Sequence, residues 1–285
     1  MRQTTFGAGY ALQWRGHGEL GIGVQKTDYR KSVEDPAGPV PTSRDRPWLW
    51  SATAAVHLTS RLAFYGGYVR GLEESPIAPD NAVNRSEAPP AIRTRQADAG
   101  LRWTIKPGLS AIAGLFEVVK PYYNVDAASR FRRLGNVRHR GVELSIAGTL
   151  RRGLSLVAGT ILLDPRVSGE EVDAGLIRAR PVGAIRRHSI ASLDYRPPTW
   201  ADWSFDLAFE ETGDRIASAT TRLVVPPRWV LAVGTRYRFK LARVPALLRA
   251  QIGNVFNRFG YGVGESGFYV YNAPRRFSMT LAADF

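Results

Sequence analysis

Residues 202–213 read Asp-Trp-Ser-Phe-Asp-Leu-Ala-Phe-Glu-Glu-Thr-Gly, and their period decides the fold. Trp203, Phe205, Leu207 and Phe209 fall on one side of an extended chain; Ser204, Asp206, Ala208 and Glu210 fall on the other. Successive side chains of a strand point to opposite faces, so this is a strand with one apolar and one polar face. The pattern recurs in both directions. Val142, Leu144, Ile146, Gly148 and Leu150 alternate with Glu143, Ser145, Ala147 and Thr149. Leu231, Val233, Tyr237, Phe239 and Leu241 alternate with Ala232, Gly234, Arg236, Arg238 and Lys240. Phe277, Met279, Leu281, Ala283 and Phe285 share the last apolar face, and Phe6, Ala8, Tyr10, Leu12 and Trp14 the first.

About thirteen such segments follow one another, most of about 9–12 residues. They lie near 4–14, 18–29, 47–58, 62–72, 94–105, 109–121, 135–150, 154–164, 186–196, 202–213, 228–240, 246–257 and 275–285. The connections alternate between short (15–17, 59–61, 106–108, 151–153, 197–201, 241–245) and long (30–46, 73–93, 122–134, 165–185, 214–227, 258–274). Strands of soluble proteins cluster near 5–6 residues, whereas a tilted membrane strand needs about 9–11. Trp14, Trp103, Trp200 and Trp203 sit beside short turns, and Trp48, Trp50 and Trp229 beside long loops. Two aromatic girdles, short periplasmic turns and long extracellular loops are the pattern of an all-β, antiparallel, up-and-down transmembrane barrel. The stretch 78–92 has a faint helical period, but its prolines argue against a helix.

Composition closes other routes. The 285 residues contain no cysteine, which excludes a disulfide scaffold and any thiolate metal site. The apolar share of 44% excludes a disordered chain. No apolar run approaches the length of a membrane helix. The formal net charge is +14, almost all from arginine. The arginines are scattered and no nucleic-acid motif accompanies them, so no nucleic-acid partner is expected. An anionic partner such as lipopolysaccharide phosphate fits the charge. The N-terminus shows no charged region, apolar core and cleavage site, so no export signal is expected in this chain.

From about residue 85 onward the chain resembles the barrel portion of TonB-dependent outer-membrane receptors of the siderophore branch. The resemblance rests on Gly135-Asn136-Val137-Arg138-His139-Arg140-Gly141-Val142-Glu143, on Gly253-Asn254-Val255-Phe256-Asn257, and on Asn272-Ala273-Pro274-Arg275 before a strand that ends in Phe285. Val225-Pro226-Pro227-Arg228-Trp229, leading to Gly234-Thr235-Arg236-Tyr237, is similar to the family as well. Residues 1–84 follow by strand rhythm, best at 65–72. The resemblance implies that residues 1–285 form part of a barrel domain, about 13 strands of the 22 in such transporters. It implies that the plug domain, the TonB box and the signal peptide are absent from this chain, and that its first and last strands are unpaired edges. Such edges are prone to aggregate.

The same resemblance implies a receptor that binds a ferric siderophore or related iron chelate at its outer loops and imports it with energy delivered through TonB. Terminal Phe285 is then the signal read by the outer-membrane assembly machinery. Inward wall positions are Gln13, Asp98, Arg102, Glu143, Asp206, Glu210, Arg236, Arg238, Lys240, Arg249 and Gln251, because charge facing lipid is costly. Among these Arg236, Arg238 and Arg249, and in the loops Arg130, Arg132 and Arg133, are candidate ligand contacts. Contact with plug, water or lipopolysaccharide competes with that role. No catalytic residue, cofactor or metal site is expected. His17, His57, His139 and His188 lack ligand spacing. The Gly-rich stretch 262–267 leads into Phe268-Tyr269-Val270-Tyr271 rather than a helix, so it is no dinucleotide site. Asn84-Arg85-Ser86 matches a glycosylation sequon without meaning in a bacterial loop. A passive porin-like channel and an outer-membrane barrel enzyme are the rival functions. The first would lack a plug; the second would need catalytic residues clustered at one rim.

Overall fold

The computed structural model describes residues 1–36, 38–263 and 269–283. Thirteen long antiparallel strands follow one another in the sheet in chain order. They are β1 (Arg2–Trp14), β2 (Gly18–Lys31), β3 (Trp48–His57), β4 (Leu62–Glu73), β5 (Ile92–Lys106), β6 (Leu109–Val125), β7 (Phe131–Arg151), β8 (Leu154–Gly169), β9 (Arg187–Tyr195), β10 (Trp203–Thr212), β11 (Arg228–Leu241), β12 (Val244–Gly253) and β13 (Arg276–Ala283). The expected number and order of strands are therefore observed. Short pairs decorate the loops, such as 215–216 with 224–225 and 261–263 with 269–271. Among the described residues the only helix is a single turn, Glu170–Asp173.

Contacts divide the chain into two units. The first comprises Met1–Leu101, Gly114–Arg140 and Pro165–Arg180; the second comprises Arg102–Ala113, Gly141–Asp164 and Pro181–Phe285.

In the first unit the register puts Phe6 opposite Lys26, Tyr10 opposite Ile22 and Trp14 opposite Gly18. Lys26 then faces Trp48, Val24 faces Trp50 and Ile22 faces Ala52. Ala52 faces Tyr68 and Val56 faces Phe64. Directly opposed residues share a face. One face therefore runs from Phe6, Tyr10 and Trp14 through Ile22 and Val24 to Trp50 and Phe64, and all of these are exposed. On the other face Thr5 meets Thr27, and Tyr29 hydrogen-bonds Ser75 of the loop after β4.

In the second unit Phe205, Leu207 and Phe209 oppose Thr235, Val233 and Leu231. Thr235 and Val233 oppose Ala250 and Ile252, and these oppose Met279 and Phe277. Phe277 is 71% exposed and Met279 76%. Residues this apolar stay uncovered over so wide a face only where lipid covers them. Buried apolar residues collect under the loops, as with Ala78, Ala82 and Ala91 and with Ala217, Val225 and Val263, and near the loop ends of strands, as with Leu49 and Val137.

Three short turns carry a left-handed glycine, at Gly16, Gly108 and Gly153. The turn between β11 and β12 has none. Ala242 (φ 48) and Arg243 (φ 75) both adopt positive φ there. A two-residue hairpin turn requires that geometry, and a Cβ makes it costly.

Two expectations change. The segment 122–134 is not a long loop: β6 runs to Val125 and β7 starts at Phe131, leaving only 126–130 between them. Strands of 17 and 21 residues are longer than a membrane requires, so this hairpin continues beyond the bilayer. The Asp126 carboxylate closes its tip, accepting from the N–H groups of Ala128 and Arg130 at 2.9 Å each. The second change concerns Asn254–Asn257, which form a turn rather than the end of a strand. Asn254 and Asn257 take positive φ. Asn254 Nδ2 donates to the carbonyls of Arg258 and Ala273, and its Oδ1 accepts from Arg258 N–H. Both asparagines of the motif thus shape the chain where β12 ends.

Candidate functional site

The polar face of the second unit holds a compact ladder of charges. Asp194 and Asp206 oppose each other across β9 and β10, and Arg236 and Arg249 oppose each other across β11 and β12. Like charges directly opposed repel. The structure resolves this by interleaving them. Arg236 Nη1 donates to Asp194 Oδ2 at 2.7 Å, and its Nη2 lies 3.0 Å from Asp206 Oδ1. Arg249 Nη2 lies 3.8 Å from Asp206 Oδ2. Asp206 is the least exposed member of the ladder, at 12% of its side chain. Gly234, its register partner, leaves room for it: a Cβ there would stand 2.6 Å from Asp206 Oδ2. Arg238 Nη1 donates to Ser204 Oγ at 3.3 Å. Two guanidinium groups and two carboxylates neutralise one another, so the ladder is a polar wall rather than a free anion trap.

Arg130, Arg132 and Arg133 lie at or beside the β6–β7 hairpin tip in the first unit. Arg132 Nε donates to Asp126 Oδ2 at 2.6 Å, and its Nη2 donates to Glu170 Oε2 at 2.9 Å. It therefore clamps the tip to the single-turn helix after β8. The hydrogen bond from Arg132, with the N–H of Arg130 adding to it, holds the Asp126 carboxyl below the usual carboxylate range. The same guanidinium lowers Glu170. Burial, with Asp126 nearby, pushes Glu171 up. Arg130 pairs with Glu87 at 3.7 Å. Arg133 donates to Asn136 Oδ1 at 2.7 Å. The loop before β5 is tied to the same hairpin by Asn84, whose Oδ1 accepts from Phe131 N–H and whose Nδ2 donates to Phe131 C=O. The sequon reading had no bearing on this role.

Beside the tip a cavity of about 570 Å³ is lined by Trp48, Arg70, Arg93, Arg95, Lys120, Tyr123 and Arg133, among others. Of the sequence-based candidates only Arg133 belongs to it. Its carboxylate, Asp45, is engaged bidentately by Arg93, at 2.6 and 3.1 Å. Arg70, Arg95 and Lys120 fall near the loop ends of expected strands and Trp48 in the expected outer girdle, but nothing in the sequence groups them.

Among the described residues no group of acidic or imidazole side chains could hold a metal ion. Phe285 and residues 264–267 of the Gly-rich stretch lie outside the described residues.

Comparison with known proteins gives these surfaces a context. Residues 2–257 match the family model described as TonB dependent receptor-like, beta-barrel. The chain is 26% identical over 233 residues to the ferrichrome receptor FcuA of Yersinia enterocolitica, covering 79% of this chain and 30% of that protein. The ferric preacinetobactin receptor BauA of Acinetobacter baumannii superposes with a TM-score of 0.83 at 22% identity, covering 99% of this chain and 43% of the other. The ferripyoverdine receptor of Pseudomonas aeruginosa superposes at 0.76 and 15%, covering 98% and 38%. The chain thus spans less than half the length of the relatives it matches. Matched over nearly its whole length by a β-barrel family model, and lined on one face for lipid, it belongs to the TonB-dependent receptor β-barrels of the bacterial outer membrane.

Proposed function

We propose that residues 1–285 supply about thirteen strands of an outer-membrane receptor barrel that takes up ferric siderophores or similar iron chelates through TonB. The remaining strands, the plug and the TonB box would come from polypeptide outside these residues. The observation that carries this reading is the two-faced strand set, which superposes along 99% of its length on a ferric siderophore receptor. In that frame the Asp194–Arg236–Asp206–Arg249 ladder lines the lumen. A neutralised polar wall suits a surface against which a plug is held and then moved, because no single charge binds it irreversibly. The Arg132 clamp shapes the outer loops that meet ligand. The chain itself would carry out no covalent chemistry. The outer-membrane assembly machinery, through the strand ending in Phe285, and lipopolysaccharide complete its partners.

Uptake of iron-55 chelates by iron-starved cells carrying the gene at its own locus, with and without TonB, tests the proposal. The expected result is chelate binding in both strains and accumulation only where TonB is present. Accumulation that persists without TonB would instead identify a passive channel.

A further inference from the structure

Two long loops of the second unit gather hydrogen-bond donors without acceptors. Loop 214–227 folds into a short antiparallel pair, 215–216 with 224–225, and loop 258–274 into another, 261–263 with 269–271. They meet in a small apolar cluster of Ala217, Val225 and Val263, with Val182 packed against it. Val225 also lines a cavity of about 20 Å³, together with Thr212, Arg215, Arg228, Tyr261 and Asn272 among others. That lining holds two guanidinium groups and a carboxamide but no carboxylate.

Two of its donors are orphaned. Arg215 Nε and Asn272 Nδ2 are buried and have no hydrogen-bond partner among the described residues. A buried donor left unmet is costly, and more so on a charged group. Neither Arg215 nor Arg228 forms an ion pair among the described residues. Burial, and then Arg228, pull the Arg215 guanidinium below its ordinary value; the field of Glu210 opposes them without overcoming them.

The backbone beside these donors carries no side chains. A Cβ on Gly260 would stand 2.9 Å from Arg228 Cδ and 3.0 Å from Asn272 Nδ2, and a Cβ on Gly262 would stand 3.4 Å from Arg215 Nη1. Gly260 and Gly262 are two residues apart, so the side chains they lack would share the face on which the donors converge. Asn272 N–H donates to the Gly260 carbonyl at 3.1 Å, which fixes the carboxamide beside that face.

A species seated here must accept from two nitrogens and answer two cations. Water accepts, but it brings two hydrogens of its own and no charge. The cavity of about 20 Å³ exceeds the roughly 10–15 Å³ that one water-sized sphere requires, whereas a phosphate or sulfate group needs far more. We infer that Arg215, Arg228 and Asn272 bind a single small inorganic anion, of the halide class, between these two loops. The anion accepts from Arg215 Nε and Asn272 Nδ2, offsets the repulsion between the two guanidinium groups, and ties loop 214–227 to loop 258–274. Nothing in this site depends on which chelate is transported.

The test uses the receptor extracted in detergent from outer membranes, together with whatever polypeptide it is made with. Amide exchange is followed at 215–217, 224–225 and 261–263, in sodium chloride and in sodium gluconate of equal ionic strength. Chloride at about ten times its dissociation constant is expected to slow exchange there about tenfold. Arg215→Gln is expected to remove the chloride effect, and Arg222→Gln, at an exposed arginine of the same loop, to keep it. If Arg215→Gln fails to assemble, the parent protein crystallised in sodium bromide supplies the second measurement. An anomalous peak is expected within hydrogen-bond reach of Arg215 Nε and Asn272 Nδ2. Equal exchange in the two salts, a chloride effect that survives Arg215→Gln, its loss in both variants, or the lack of a bromide peak overturns the site. Protection by inorganic phosphate as strong as that by chloride overturns the halide class.

Discussion

The second unit's polar face and, in the first unit, the cations that share the apolar side with Trp48 and Trp50 both rely on arginine, and they use it in opposite ways. On the wall, Arg236 and Arg249 are half-buried to exposed and bracket the nearly buried Asp206. Each of the four ladder charges lies beside an opposite one, while Arg238 donates to a hydroxyl, Ser204 Oγ. On the apolar side, the rim, Arg70 and Arg95 are exposed; Arg70 stands over the Trp50 ring, and Arg95 lies in the field of Glu117, whose carboxylate Arg140 holds. The difference lies in what stands beside each cation. On the polar face two carboxylates lie against the guanidinium groups, whereas at the rim Glu117 is taken by Arg140 and the other cations form no direct ion pair. Net charge alone, at +14, does not separate these situations.

The strongest way to break the wall is Asp206→Ala. It leaves Arg236 opposed to Arg249 with Asp194 answering Arg236 alone, and the side chain removed is nearly buried. The expected loss is about 2–3 kcal/mol, read as a lower urea midpoint of the folded protein in detergent. Gly234→Ala pushes a methyl group against the same carboxylate, which two guanidinium groups hold in place; a loss of about 1 kcal/mol is expected by the same measurement. The hairpin clamp responds to acid. Asp126 and Glu170 are both held below their ordinary values by Arg132, so the clamp is fully present above the unfolded values near 4 and is lost as pH falls through the lowered ones. Amides of residues 126–132 are expected to lose protection between pH 5 and pH 3, after correction for intrinsic exchange rates. Arg132→Ala is expected to abolish that pH difference. The smallest effect belongs to the rim, where Arg95→Ala is expected to change stability by less than about 0.5 kcal/mol, because the side chain is exposed and unpaired. A rim substitution as damaging as Asp206→Ala would erase the contrast between the two surfaces.

How much of this was legible in the sequence depends on what set the pattern. Within the bilayer, lipid imposes a strict period of two. The faces of Trp203–Phe209, of Arg236 and Arg249, and of Asp98 opposite Gly67 could therefore be read directly, and the register agrees. Beyond the bilayer nothing apolar surrounds the strands. Tyr122–Val125 and Phe131–Leu134 lack alternation and read as loop, yet they continue β6 and β7 through their hydrogen bonds to neighbouring strands. The loop arginines were visible as charge, but their partners were not. Glu170 is 38 residues from Arg132, and only the fold brings them together. The rim is harder still to see in the sequence. Lys26, Arg70 and Arg95 are single cations on separate strands, and they share a side only once register is known.

The absence of cysteine makes the central claim, that these strands divide a lipid face from a polar one, directly measurable. Single substitutions Leu207→Cys, Ala208→Cys, Phe209→Cys and Glu210→Cys, each spin-labelled in the membrane-inserted protein, would be compared for collision with oxygen and with a water-soluble nickel chelate. The account predicts that positions 207 and 209 favour oxygen and that 208 and 210 favour the nickel chelate. Equal access at all four positions, or the reverse alternation, would contradict it.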